Sequence, residues 1–485
     1  MSDSPESISS AASTPGQMAQ PNHPSAAEPS ASGSPSTGGQ PRSQHRPYYK
    51  KSRRFVRRRF RGEDLAGTEL NISDLQSMAA PDLFNLAREY GIEDFNPNDT
   101  NALVFDILKR NAEKYGHMVA EGVVEITDDG YGFLRYPKYH YLPCPEDVYI
   151  SPSQIKRFGL RTGDQITGHI RPPKDNERYF ALLKVEAVDG NNPDESRARI
   201  PFENLTPEFP KERVILEHDS HELCSRVIDI LCPLGRGQRS LIVAPPRTGK
   251  TVLLQKISQA VTANYPDLLQ IILLIDERPE EVTDMERNLQ AEIIASTFDE
   301  KPARHIQVAE LAMERAKRMV ENKKHVLIML DSITRLARAY NNMMPSNGRV
   351  MSGGVDAKAL MRPRKFFSSA RNCVEGGSLT IIATALVDTG SRADELIFEE
   401  FKGTGNMELY LSRDLSDMRI YPAVDVAKSG TRREEILLHP DELKCINLVR
   451  KAMGTLPPVE AYTNMLQKLA ATQNNAEFLM KMDFI

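Results

Sequence analysis

The sequence predicts a multidomain chain: a small helical module, then a five-stranded β-barrel of the OB or cold-shock type, then an α/β domain on a parallel sheet. Three observations predict it. Between residues 119 and 189 the hydrophobic pattern has period two and is broken by turn residues, as short barrel strands require. After residue 216, nearly continuous apolar runs alternate with helical patterns, the mark of strands buried on both faces. The first of these runs leads directly into a phosphate loop, Gly249-Lys250-Thr251.

Composition sets the frame. A chain of 485 residues has room for about three or four domains. Its charged fraction of 26% and hydrophobic fraction of 40% are those of a globular protein. No apolar run reaches the roughly 18 residues of a spanning helix. The beginning of the chain has neither a basic n-region nor an apolar h-region, so no secretory signal is expected. The five cysteines are scattered without a CxxC pair, which argues against a disulfide framework or a zinc site and fits a reducing cytoplasm. The net charge of −4 hides an asymmetry, because residues 1–61 carry 10 Lys/Arg against 3 Asp/Glu. A mildly acidic body bears a basic arm, and such arms meet polyanions.

Taken in order, residues 1–41 consist largely of Ser, Pro, Ala, Gly and Gln and are expected to be disordered, as is the extension as a whole to residue 67. In residues 42–61, arginines alternate with Tyr48, Tyr49, Phe55 and Phe60, a composition suited to phosphate contacts and base stacking. Residues 68–118 read as a helical module. Pro81 suits a first helical turn, Leu83, Leu86 and Ala87 give one apolar face, Gly91 a stop, and Leu103, Val104, Ile107 and Leu108 a second face.

Five strands are expected at GVVEI, YGFLR, DVYIS, QITGHI and FALLKVEAV. Tyr131 and Phe133 stand two apart, so both project from one face, and Arg135 continues that row. With Tyr149 and the Glu177-Arg178-Tyr179 run, they suggest rings exposed for stacking on single-stranded bases. Residues 190–215, rich in proline and charge, read as a connector.

In the last domain, 216–485, strands are expected at 240–244, 268–276, 325–331 and 378–386. Ala244 stands where the strict phosphate-loop pattern has Gly, so the loop must enter without a positive φ there. Lys250 suits the β and γ phosphates and Thr251 suits Mg²⁺. Two carboxylates fall at strand C-terminal ends, where open α/β sheets bind ligands. Asp331 suits the metal-site acid, and Glu277 suits the base that polarises water. Arg432, in SGTRREE, gains a role only beside a neighbouring subunit's nucleotide.

The blocks GRGQRSLIVAPPRTGKT, LLIDERPEEVTDM, LDSITRLARAYN, GGVDAKAL, GGSLTIIATALVDTGS and SGTRREE together resemble the Rho family of bacterial transcription termination factors. DGYGFLR, SPSQIKRF, LRTGD and RPPKDNERYFALLKV resemble that family's primary RNA-binding domain. The likeness covers roughly residues 68–485 and leaves 1–67 outside.

It implies a RecA-like core and a homohexameric ring that binds ATP and Mg²⁺. Such a ring loads on nascent single-stranded RNA, translocates along it as a helicase and releases it from RNA polymerase. Carried over by motif, nucleotide contacts fall on Gly235, Arg236, Gly237, Gln238, Arg239 and Ser240, on Arg247, Thr248, Gly249, Lys250, Thr251 and Val252, and on Arg278. Tyr421 stacks on adenine, Glu277 is the catalytic base, Thr251 and Asp331 serve the metal, and Arg432 is the arginine finger. Primary RNA contacts fall on Gly130, Tyr131, Gly132, Phe133, Leu134, Arg135, Asp147, Val148, Tyr149, Glu177, Arg178 and Tyr179. Central-channel contacts fall on Arg349, Val350, Met351, Ser352, Gly353, Gly354 and Arg392.

Arg247 and Arg392 stand where lysine is common in that family, and Tyr131 and Tyr421 where phenylalanine is. Two alternatives stay open at this point. A rotary-type or export ATPase shares the core and predicts no RNA stimulation; a non-catalytic single-strand RNA-binding protein predicts no role for Lys250.

Overall fold

The computed structural model describes residues 70–97, 99–115, 118–174, 176–345 and 353–482. The expected disordered extension and basic arm lie outside the described residues.

The chain enters through a short strand, β1 (Leu70–Asn71), and three helices, α1 (Ile72–Ser77), α2 (Ala80–Glu89) and α3 (Thr100–Tyr115). The Asn71 side chain caps α1 by accepting from the Ser73 N–H, and Pro81 sits in the first turn of α2. Gly91 follows α2 at φ +75, where a side chain would be strained. The apolar faces expected of these helices are buried, but not in a core of their own. Leu83, Leu103 and Ile107 share one cluster with the barrel residues Val124, Leu134 and Phe180. β1 also adds to the barrel, parallel to its first strand.

All five expected barrel strands are present: β2 (Met118–Ile126), β3 (Gly132–Arg135), β4 (Val148–Ile150), β5 (Gln165–Arg171) and β6 (Phe180–Val188). They run in the order β2-β3-β4-β6-β5, and the pairing of β2 with β5 closes the cylinder. At Gly132 a Cβ would come within 3.1 Å of the Glu125 carbonyl oxygen, so the β2–β3 approach requires the missing side chain.

The large domain carries a sheet in the order β9-β8-β10-β11-β7-β12-β13. Its strands are β7 (Arg239–Ala244), β8 (Leu268–Glu277), β9 (Glu292–Thr297), β10 (His325–Asp331), β11 (Ser378–Leu386), β12 (Met407–Tyr410) and β13 (Gly430–Thr431). Six are parallel, and β13 closes the edge antiparallel to β12. Each strand face packs into a separate core. Ile242, Ile272 and Leu274 join one cluster, while their alternates Leu241, Val243, Ile271 and Leu273 join the other. The helices that concern the site are α4 (Lys250–Asn264), α5 (Pro302–Glu321), α6 (Ile333–Asn342) and α7 (Arg392–Phe401).

The 190–215 connector is built into this body. Phe202 is 1% exposed and packs in the core beside α5. Arg199 pairs with Asp164 and, at 2.6 Å, with Asp189 of the barrel side, and at 3.1 Å with Glu321 of α5. Truncating a buried phenylalanine costs about 3–5 kcal/mol, so the connector contributes to stability as a core segment does.

Candidate active site and RNA-binding face

In a parallel sheet every strand delivers its C-terminal end to one edge, and there the chemistry-bearing side chains meet. β7 ends at Ala244, a regular ladder residue opposite Leu386. The turn after it has positive φ at Arg247 (φ +67) and Gly249 (φ +85), and turns with residues in the left-handed region can gather backbone N–H groups into an anion-binding concavity. The Arg247 carbonyl is held by the Ser416 hydroxyl at 2.8 Å. α4 then begins at Lys250.

The Lys250 Nζ lies 3.0 Å from Glu277 Oε1 and 2.5 Å from Asp331 Oδ1. Both carboxylates are almost fully buried. Glu277 is aimed inward by a bulge: the register of β8 against β9 shifts between Ile275 and Glu277, with Asp276 at φ +57. Asp331 Oδ1 also accepts from the Thr384 hydroxyl at 2.8 Å, whereas Asp331 Oδ2 is buried and has no hydrogen-bond partner among the described residues. Thr251 Oγ1 donates to Glu281 Oε2 at 3.2 Å.

Burial, and next the Asp331 charge, push the Glu277 carboxyl above the usual range against the pull of Lys250 and Arg335. Burial pulls Lys250 down, but the two carboxylates outweigh it and its pKa is raised, so the ammonium stays charged. A carboxyl of raised pKa has the basicity to take a proton from water near neutral pH. Beside the loop, Tyr421 stands 3.5 Å from where a Cβ on Gly249 would be. With Thr248, Val252 and Leu253 it lines a cavity of about 470 Å³.

On the barrel, Tyr131, Phe133, Tyr149 and Tyr179 form one ring cluster. Phe133 is centred 5.7 Å from Tyr131, 6.2 Å from Tyr149 and 4.9 Å from Tyr179. Three of the rings are half-buried and Tyr179 is exposed, so the cluster is a surface and not barrel filling. Arg135 lies over the Phe133 ring, Cζ to centroid 4.9 Å. Its Nε donates to Glu125 at 2.6 Å and its Nη1 to Asp147. Arg135 and Asp147 are therefore buried beneath the rings, and the side chains of Leu134 and Val148 point into the core. Glu177 and Arg178 are exposed, and Glu177 is held by Arg171 at 2.5 Å. Gly130 occupies a turn at φ +83.

Comparison with known proteins matches both regions. The family model described as the Rho termination factor RNA-binding domain matches residues 120–194. The nucleotide-binding domain of the ATP synthase alpha/beta family matches residues 224–431. Transcription termination factor Rho of Rhodopirellula baltica is 54% identical over 415 residues, covering 85% of this chain and 81% of that protein. The Pseudomonas fluorescens protein of the same name is 52% identical over 416 residues, covering 85% and 99%. The chain belongs to the Rho family of transcription termination factors.

As a Rho family member it is an RNA-binding, ATP-hydrolysing protein with an OB-like barrel and a RecA-like phosphate-loop domain. A solved ATPase of the type III secretion system of pathogenic bacteria aligns with a TM-score of 0.50 at 22% identity, covering 64% of this chain and 94% of that one. That likeness concerns the fold of the ATPase core. Among the described residues no helix is long and apolar enough to cross a membrane.

The residues expected to bind nucleotide in Rho divide between two ends of the sheet. Arg247, Thr248, Gly249, Lys250, Thr251, Val252, Arg278 and Tyr421 gather at the C-terminal edge, with Arg247, Val252 and Arg278 exposed. The 235–240 segment does not join them within one chain. It precedes and opens β7 at the far edge. Ser240 starts the ladder opposite Met407, and Met407 faces Thr431, so Arg432 stands at that same far edge. At 3.3 Å per residue, roughly 13 Å of strand separates Ser240 from Ala244.

Several of the six are structurally committed there. Gly235 N–H donates to Gln238 Oε1 at 2.6 Å, and a Cβ on Gly237 would meet Asn372 N at 2.2 Å. Arg236 pairs with Asp267 at 3.0 Å, and Ser240 is buried. Arg239 donates to the carbonyls of Ala370 and Thr404 at 3.0 and 3.2 Å. Arg239 and the exposed Arg432 line one cavity of about 240 Å³.

Of the channel segment, Arg349, Val350, Met351 and Ser352 lie outside the described residues. Gly353 (φ +97) approaches the Arg392 carbonyl so closely that a Cβ would stand 3.0 Å from it, so the two expected channel segments touch. Gly354 accepts from Asn341 at 3.2 Å, and Arg392 is exposed at the start of α7.

Sequence reasoning missed Thr384, Glu281 and Arg335. Thr384 lay two residues before the end of a predicted strand and Glu281 one turn beyond the strand-end carboxylate Glu277, so position relative to strand ends was the available signal.

Proposed function

We propose that the chain works as a ring of six that loads on nascent single-stranded RNA in the cytoplasm. In this reading it threads the RNA through its centre by hydrolysing ATP and releases it from RNA polymerase. The observation that carries this reading is the Lys250–Glu277–Asp331 cluster beside a phosphate loop, in a chain that also bears an open face of four aromatic rings.

In this reading Lys250 and the loop N–H groups grip the β and γ phosphates, and Tyr421 stacks on the adenine. An arriving triphosphate competes for Lys250, which releases Glu277 from its ion pair to take the proton of the attacking water. The residues present fit Mg²⁺: the unpartnered, buried Asp331 Oδ2 and the Thr251 hydroxyl are hard oxygen donors beside the loop. Bound there, the ion neutralises charge on the phosphates.

Arg432 cannot serve its own chain's loop from the opposite edge of the sheet, and this supports a role across an interface. The 235–240 segment shares that edge, and its Gln238 and Arg239 line one cavity with Arg432, which supports the same placement. RNA stacks first on Tyr131, Phe133, Tyr149 and Tyr179, with the Arg135–Asp147 pair beneath them. It then meets Gly353, Gly354 and Arg392 in the channel.

The test is ATP hydrolysis by purified protein with and without single-stranded RNA. RNA-dependent turnover that vanishes in Glu277→Gln while nucleotide binding persists is expected. Equal rates with and without RNA favour an export-type ATPase and overturn the motor reading.

A further inference from the structure

The ring face of the barrel is bonded to the ATPase domain. Glu125 stands directly across the ladder from Phe133 and shares its face. One oxygen of Glu125 accepts from Arg135 at 2.6 Å, and Arg135 in turn covers the Phe133 ring. The other oxygen accepts from Nε2 of Gln307, a residue of α5. Gln307 Oε1 accepts from Arg304 at 3.2 Å, and Arg304 also donates to the backbone carbonyls of His140 and Tyr141.

The connection continues toward the catalytic edge. Arg304 lies 3.8 Å from Glu300, which accepts from the Ser296 hydroxyl of β9. β9 is the strand against which β8 bulges at Glu277, and the Phe298 N–H donates to the Glu277 carbonyl at 3.1 Å. The segment from β9 into α5 thus holds the catalytic strand at one end and the RNA platform at the other.

We propose that Gln307 is a positioning residue that couples RNA on the barrel to the carboxylate of Glu277. The proposal rests on the assignment of Glu277 as the base. A nucleobase stacking on Phe133 competes with Arg135 for that ring. The displaced guanidinium changes its hold on Glu125, and Glu125 is bonded to the second turn of α5. Close-packed elements pass such a shift on instead of absorbing it. The turn between β9 and α5 receives it and moves the backbone that bonds Glu277.

The test uses the full chain with Gln307→Leu, which keeps the volume and removes the bond, and Gln307→Lys, which restores a donor to Glu125. Binding of a short single-stranded RNA is read by fluorescence anisotropy, and kcat and KM for ATP are read with and without RNA. Gln307→Leu is expected to bind RNA within about twofold of wild type and keep the unstimulated rate. It should lose at least about fivefold of the RNA stimulation, the lower end of ordinary coupling between sites, and lose it in kcat and not in KM. Gln307→Lys should recover it. Glu125→Ala, which breaks the same bond from the barrel side, should repeat the loss if Gln307→Leu fails to fold.

A cycle with Phe133→Ala separates coupling from structural damage: once the stacking ring is gone, Gln307→Leu should cost nothing further. Full stimulation in Gln307→Leu, or losses that simply multiply in the double variant, overturns the inference while leaving the motor reading intact. A wild-type chain that RNA does not stimulate overturns both.

Discussion

Removing Lys250 should turn the nucleotide site into a pH-dependent weak point. Its ammonium bridges two carboxylates whose side chains are 5% and 1% exposed. With methionine in its place, Glu277 and Asp331 face each other in a dry site, and Arg335, 3.9 Å from Glu277, is the nearest remaining cation. Breaking a buried ion pair costs about 3–5 kcal/mol. Protonation of one acid relieves part of this, so the loss near pH 7 should be on the order of 2–3 kcal/mol. For a domain of this size that lowers Tm by about 4–12 °C.

The sign with pH follows from the direction of the Glu277 shift. Its pKa is already raised in the folded chain by burial and by Asp331, and loss of Lys250 raises it further. A carboxyl whose folded pKa exceeds its unfolded value of about 4.3 binds more protons folded than unfolded, so stability falls as pH rises between the two. Thermal melts of nucleotide-free wild type and Lys250→Met from about pH 5 to pH 8 should show a gap that widens with pH. Lys250→Met/Glu277→Gln should recover part of the loss at neutral pH, because one buried charge is gone. A gap independent of pH, with no recovery in the double variant, refutes Lys250 as the counter-ion of this pair.

Three further outcomes are expected. Phe133→Ala removes the ring at the centre of the cluster and should weaken binding of single-stranded RNA by about 1–3 kcal/mol, measured by anisotropy. Arg392→Ala, on the expected channel segment, should leave that affinity unchanged and lower RNA-stimulated turnover; equal loss of RNA binding in both variants refutes two separate RNA sites. Mixing Arg432→Ala with Lys250→Ala subunits should restore hydrolysis that neither has alone, since some interfaces then pair an intact loop with an intact arginine. The check is the ATPase rate of the mixture, after sedimentation shows that each variant still assembles, and no rescue in mixed rings refutes action in trans.

Local chemistry was legible in the sequence wherever the neighbours that matter are near in the chain. The five barrel strands, the phosphate loop and the strand-end acids Glu277 and Asp331 all follow from period, punctuation and loop motif. Sheet order was not legible, because a buried parallel strand looks the same at any position in the sheet. β9 and β12 therefore escaped notice, and with them the bulge that aims Glu277. The connector was read from its proline and charge, yet Phe202 and Arg199 are spent on long-range contacts that composition does not reveal. The 235–240 segment was assigned to the nucleotide together with the phosphate loop by family motif, and a motif carries no information on where in the fold the two stand. The strand β7, which this segment opens, carries the two to opposite edges.

That separation bears on assembly. If Arg432 acts as proposed, a sheet with a phosphate loop at one edge and this exposed arginine at the other holds two complementary parts of one site that a single chain does not bring together. Two-fold pairing through one shared patch would set like edges against each other and leave both parts unmatched. Head-to-tail contact sets the Arg432 edge of one subunit against the loop edge of the next, and repeating one rotation either closes a ring or runs on as a filament. The barrel, clasped to α5 by Arg199, Arg161 and Glu321, would then repeat with every subunit and carry one aromatic face per subunit around the assembly. An RNA long enough to span several of these faces gains affinity from each without any new kind of contact. The proposed closed ring would account at once for the separation of the two segments and for a sequence-tolerant platform carried by every subunit.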